Sequence, residues 1–155
     1  MQLSVIEKLQ LEAPPEEVWR LFRDTPRLAG LLPGVESVSP LAGAAAEAYE
    51  AKVTQKVGPF KVSMRLELEV IELVEQQLLR ATVKGGDSLG MNRVTGTIAV
   101  RLTAEGSGTQ MAFETAVEVL GKMAALGAPV VRRKSTELFS EFARKIQAEF
   151  AKGNA

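Results

Sequence analysis

The chain has 155 residues, with 19 basic and 19 acidic side chains, a formal net charge of zero, and neither His nor Cys. The two zeros exclude disulfides, thiol nucleophiles, zinc fingers, Ser-His-Asp and Cys-His sites and two-His-one-carboxylate metal centres. The neutral balance speaks against nucleic-acid binding, which needs a basic surplus.

Hydrophobic residues at 46% and charged residues at 25% match a folded globular chain, and the length suits a single domain over residues 1–155. Leu3, Val5, Leu9 and Leu11 recur at period two and predict a half-buried strand over Leu3–Leu11. Glu7 interrupts that apolar series. Either a bulge shifts the register there, or a carboxylate points inward. The alternation is not that of a signal peptide, and no run reaches the ~18–20 apolar residues of a membrane span. A cytoplasmic protein is the expectation.

Pro14-Pro15-Glu16-Glu17 then opens a short helix, because proline is pre-organised for a first turn and early carboxylates complement its dipole. Val18, Leu21 and Phe22 share one face of it. A second short helix is predicted from Pro26 to Leu32, stopped by Pro33-Gly34.

The period then changes to two, and an antiparallel meander is predicted over residues 45–120. Tyr49, Ala51, Val53 and Val57 make one strand, and Gly58-Pro59 turns it. Phe60, Val62, Met64, Leu66, Leu68 and Val70 alternate with Lys61, Ser63, Arg65, Glu67 and Glu69, the pattern of a sheet with one dry and one wet face. After a turn near Glu75-Gln76 come Leu79, Ala81 and Val83, then Gly85-Gly86-Asp87. The next strand carries Val94, Ile98, Val100 and Leu102, with Gly96 marking a bulge or a close backbone approach. Glu105-Gly106-Ser107-Gly108 is a hairpin loop, and Met111, Phe113, Thr115, Val117 and Val119 end at Gly121. Lys122–Ala151 is helical, with a break signalled at Gly127 and Pro129. Val131, Leu138, Phe142, Ile146 and Phe150 form its apolar stripe, and Lys152–Ala155 should fray.

The order predicts an α+β helix-grip fold: a curved antiparallel sheet of about seven strands wrapped around a long C-terminal helix, with two short helices after the first strand. One helix cannot fill such a sheet, so an apolar cavity is expected beneath it. The strands supply Val53, Met64, Leu66, Leu79, Val94 and Phe113, the second short helix Leu31 and Leu32, and the last helical region Met123, Leu126 and Val130. Glu7, Gln55 and Asn92 have the parity of polar groups inside it. The mouth is expected between Leu31–Pro33 and Met123–Gly127. No catalytic residue, metal or cofactor is assigned.

Ala13-Pro14-Pro15-Glu16-Glu17-Val18-Trp19, Leu31-Leu32-Pro33-Gly34-Val35, Lys56-Val57-Gly58-Pro59-Phe60 and Gly121-Lys122-Met123-Ala124-Ala125-Leu126-Gly127 together resemble the carbon monoxide dehydrogenase G-subunit family. That family lies within the START-like, polyketide-cyclase-like superfamily. The resemblance spans about residues 2–150 and implies a START-like ligand-binding domain that holds a quinone or lipid. It also implies a link to maturation or membrane recruitment of a molybdenum hydroxylase such as carbon monoxide dehydrogenase. Many members carry a C-terminal extension reaching the membrane. Here the sequence ends at Ala155, directly after the helix, so peripheral contact at the inner membrane face is expected in place of stable anchoring. Lys122, Arg132, Arg133 and Lys134 read either as a solvated helix face or as an attraction for anionic lipid or an acidic partner. Two other readings stand beside the carrier: a cyclase or dehydratase using Glu7 as its carboxylate, and a protein-interaction module.

Overall fold

A computed structural model describes residues 1–43 and 47–153, with side chains up to Ala151. The predicted start of the meander at 45–46 and the fraying of Asn154 and Ala155 lie outside these. β1 (Gln2–Leu11) is followed by α1 (Pro15–Arg23), α2 (Thr25–Ala29) and β2 (Val35–Pro40). Then come β3 (Ala48–Val57), β4 (Phe60–Val74), β5 (Leu78–Gly86), β6 (Asn92–Glu105), β7 (Gly108–Gly121), α3 (Lys122–Ala125) and α4 (Ala128–Gly153). The seven strands form one antiparallel sheet in the order β1-β7-β6-β5-β4-β3-β2. This is the helix-grip arrangement expected from the chain.

Local sequence explains most of the boundaries. Pro15 sits in the first turn of α1, Glu16 pairs with Arg20 at 2.7 Å, and Val18, Leu21 and Phe22 are buried. Asp24 ends α1 and accepts a hydrogen bond from the Arg27 amide at 3.4 Å, capping α2. On β4 the polar alternates Lys61, Ser63, Arg65, Glu67 and Glu69 are all exposed, as a sheet with one wet face requires. Gly96 is a close approach: a Cβ there would run into the Ala116 carbonyl oxygen and lie 2.6 Å from the Val117 Cα, which a side chain could not tolerate.

Several expectations are corrected. α2 stops at Ala29, short of the predicted Leu32, because the Leu31 and Leu32 amides bond back to Leu28 and Ala29 in a closing turn. β2 carries only Val35 and Val38 as aliphatic residues, too few to show a period, and it pairs along β3 with a register shift between Val35 and Ser37. β4 outlasts Val70 and runs to Val74 across a second shift at Val70/Glu72. The break signalled at Gly127 and Pro129 is present, by contrast, with Gly127 at φ 91° between α3 and α4. No bulge occurs at Glu7, since β1 pairs with β7 in unbroken register from Gln2↔Glu118 to Leu11↔Thr109. Glu7 therefore shares its face with the buried Leu3, Leu9 and Leu11.

The core falls into two clusters. The first gathers Leu9, Leu11, Val18, Leu21, Met111, Phe142, Ile146 and Phe150, joining the C-terminal end of β1, α1, the β6–β7 hairpin end and the second half of α4. The second holds Val57, Val62, Val119 and Met123 at the opposite end, beside α3. No helix among the described residues is long and apolar enough to cross a membrane.

Candidate ligand-binding groove

Strand register decides which side chains face α4. Phe113 pairs with Glu7 and Val100, Val100 with Leu79, and Ile98 with Thr115 and Ala81. Leu68 pairs with Val83 and Tyr49, and Leu66 with Gly85 and Ala51. These positions share the face of the buried Ala51, Ala81, Val83 and Val100. Yet Val5, Glu7, Val53, Leu66, Leu68, Val70, Leu79, Ile98 and Thr115 are only half-buried, and so is Leu138 on α4. Apolar side chains that point inward but remain accessible mark open space between sheet and helix. α4 approaches the sheet at β1, where Arg132 and Gln147 donate to the Ser4 and Gln10 carbonyl oxygens, and again at β3. None of these half-buried residues belongs to either packed cluster, and together they form the candidate groove.

The structure distributes the predicted site residues over three places. Leu31, Leu32 and Phe113 pack against the first cluster, and Phe113 sets its ring 6.4 Å from Phe139 and 6.3 Å from Phe142. Met64, Val94, Met123 and Leu126 belong with the second. Val53, Leu66 and Leu79 belong to neither and are half-buried members of the candidate belt. Val130 sits beside the β3–β4 turn, where a Cβ on Gly58 would lie 3.9 Å from it and 3.3 Å from Leu126. That turn stands at the α3–α4 corner. On this side a recess of about 550 Å³ lies between Pro33–Gly34 and Pro59, reached also by Gln55 and Glu141. Met123, only 6% exposed, packs in the second cluster at the floor of a separate recess of about 390 Å³ beside Val62.

The three polar candidates part company. Asn92 is buried, and both ends of its amide are engaged: Nδ2 donates to Asp87 Oδ2 at 2.9 Å, and Oδ1 accepts from the Met123 amide at 2.8 Å. It ties the β5–β6 loop to α3. Gln55 is half-buried and packs over Gly34 at the recess. Glu7 is half-buried on the inner face, and no hydrogen bond or ion pair is recorded for it among the described residues.

Sequence reasoning passed over Tyr49 as a wall residue, although its parity on β3 matches Ala51 and Val53. Tyr49 Oη donates to Glu47 Oε2 at 2.8 Å, and Arg23 grips both oxygens of Glu47 at 2.9 and 2.7 Å. The Arg23 hydrogen bond, outweighing partial desolvation, holds the Glu47 carboxyl below its ordinary value, and Glu47 in turn raises Arg23. This carboxylate stays ionised at neutral pH and is not a proton donor there. At the other rim, desolvation pushes the Asp87 carboxyl up. Hydrogen bonds from Asn92 and from the amides of Met91, Asn92 and Gly90 outweigh it and hold the group below its ordinary range. Leu68, Val70 and Leu138 are further half-buried residues of the belt that the plain alternation and helical stripe had already marked as apolar.

The sequence profile of the carbon monoxide dehydrogenase G subunit, CoxG, matches residues 8–151. No curated protein sequence is detectably similar. Among solved structures, a conserved protein from Geobacillus kaustophilus is 28% identical, with a TM-score of 0.84 over 97% of this chain and 96% of that one. A START superfamily protein from Mycobacterium smegmatis is 14% identical, with a TM-score of 0.75 over 96% and 97%. A major latex-like protein from Panax ginseng is 12% identical, with a TM-score of 0.67 over the same shares. The last two establish a START-like fold.

Proposed function

The chain belongs to the CoxG family of carbon monoxide dehydrogenase, and from that premise we propose that it is a non-catalytic carrier for a lipophilic small molecule, a quinone or a lipid. One ligand-binding domain over residues 1–155 holds the molecule in the groove between the sheet and α4. The observation that supports this reading is the inward-facing apolar belt at Val53, Leu66, Leu68 and Leu79, left accessible between two packed clusters.

Burial is the driving force. Covering apolar surface gains about 25 cal/mol per Å², so a ligand hiding some 300 Å² would gain roughly 7 kcal/mol before ordering costs. Gln55, Tyr49 and Glu7 supply polar atoms on the walls to fix orientation. The carrier works in the cytoplasm and passes its ligand to, or takes it from, a molybdenum hydroxylase.

The test is native mass spectrometry of gently purified protein, followed by titration with a soluble naphthoquinone and a long-chain fatty acid. Trp19, packed against the first cluster, reports by fluorescence, and a rise in Tm reports binding to the folded state. Leu66→Arg places a charge in the groove and should abolish both signals. A chain that co-purifies with nothing and gains no Tm from either class leaves the interaction-module reading in its place.

A further inference from the structure

We propose that the groove prefers an apolar molecule carrying a hydrogen-bond donor, a hydroxyl or an ammonium group, over one carrying acceptors alone, and that Glu7 makes the choice. This selectivity rests on the carrier reading and names the ligand chemistry within it.

Glu7 stands apart from the other acids of the chain. Among the described residues, the half-buried carboxylates Glu47, Glu50, Glu114, Glu118, Glu141 and Glu149 are each paired with a cation. Half-buried Asp87 accepts from the Met91 amide and from Asn92. Half-buried Glu7 alone has neither an ion pair nor a hydrogen bond. The unbroken register of β1 on β7 sets it directly across from Phe113, between Val5 and Leu9 on the inner face. The Phe113 ring lies 6.4 Å from that of Phe139 on α4, and both rings are half-buried. In the empty groove, water can solvate the Glu7 oxygens. A ligand that fills the groove displaces that water, and a carboxylate can only accept. A ligand without a donor would strip Glu7 of its solvation and return nothing, whereas a hydroxyl or ammonium replaces what was lost.

Toward the other edge of the sheet, Tyr49 on β3 has the same polarity. It spends its hydroxyl hydrogen on Glu47 Oε2 at 2.8 Å, so its remaining capacity is to accept. Glu47 itself is held ionised by Arg23 and has no proton to give. Gln55 and Thr115 can both donate and accept, and therefore select neither class. A quinone, which carries two carbonyl acceptors, meets acceptors at Glu7 and Tyr49. Its reduced dihydroxy form, a hydroxylated lipid or a lipophilic amine meets complementary groups.

The experiment is calorimetric titration of the full chain with ligands that share one apolar skeleton: 2-naphthol, 2-naphthylmethylamine, 2-methoxynaphthalene and 2,3-dimethyl-1,4-naphthoquinone. The parent should bind the naphthol or the amine about ten-fold or more tightly than the methoxy ether and the quinone. Glu7→Leu should remove most of that preference while the methoxy ether still binds. Glu7→Gln, whose amide can donate, should bind the quinone more tightly than the parent does. Lys8→Gln, on the exposed outer face of the same strand, should keep the parent's preference, and urea melts check that each variant is folded. Binding by the parent with no preference for a donor overturns the selectivity and leaves the carrier reading standing. A preference that survives Glu7→Leu unchanged also overturns it, because another group would then be making the choice. If the parent binds none of the ligands, the carrier reading fails and the selectivity falls with it.

Discussion

Truncating Phe142 and Leu66 to alanine, each alone, separates packed core from open groove. Phe142 is 4% exposed, and its ring meets Phe113 at 6.3 Å and 57° within the first cluster. Phe142→Ala leaves a void that the surrounding helix and sheet cannot close, costing about 3–5 kcal/mol. At ~2–4 °C per kcal/mol for a chain of this size, Tm should fall by about 6–20 °C. Leu66 is only half-buried and already borders open space, so Leu66→Ala enlarges a gap without creating one. Only part of its transfer energy is lost, about 1 kcal/mol, and Tm should fall by about 2–4 °C. Thermal and urea melts followed by circular dichroism measure both. Equal losses would mean that the belt is close-packed and no groove exists. An unchanged melt for Phe142→Ala would refute the packing of α4 on the sheet.

Asn92→Ala strips the buried Met123 amide of its acceptor and the Asp87 carboxylate of a donor, and should cost about 1–3 kcal/mol in a urea melt. Gly96→Ala sets a methyl against the Ala116 carbonyl oxygen at φ 156°, and should cost about 2 kcal/mol or more; a melt identical to the parent's would show that the strands are not so close there. The Glu47–Arg23 pair makes stability depend on pH. Because the folded carboxyl is held below its ordinary value, its contribution is complete above the unfolded value of about 4.3 and is lost as pH falls through the folded one. Arg23→Met should thus lower Tm most near neutrality, and the gap from the parent should close in acid; a gap constant down to pH of about 3 would exclude this origin.

The architecture was legible because its determinants are local. Six polar–apolar alternations, the Pro14–Glu17 helix start and the Gly58-Pro59 and Gly106 turns each depend on neighbours a few positions away. β2 escaped notice since Val35 and Val38 are too few to set a period, and its strand identity comes from β3. The break before α4 was marked by Gly127 and Pro129, whereas the true end of α2 was set by a turn that no residue type announces.

The composition alone excluded histidine and cysteine chemistry, and the alternation alone said which side chains on each strand share a face. Whether such a side chain is core, groove or rim depends on partners far along the chain. Glu7 points inward because residues 109–118 pair with β1 without slipping. Met123, expected at a mouth, is buried with Val57, Val62 and Val119, and its amide is held by Asn92. Leu66 and Leu68 stay half-buried because α4 packs into the first cluster through Phe142, Ile146 and Phe150, and neither leucine belongs to that cluster. Local pattern records the direction of a side chain, but the space in front of it is made by residues as far as 137 positions away, and only the assembled fold contains that information.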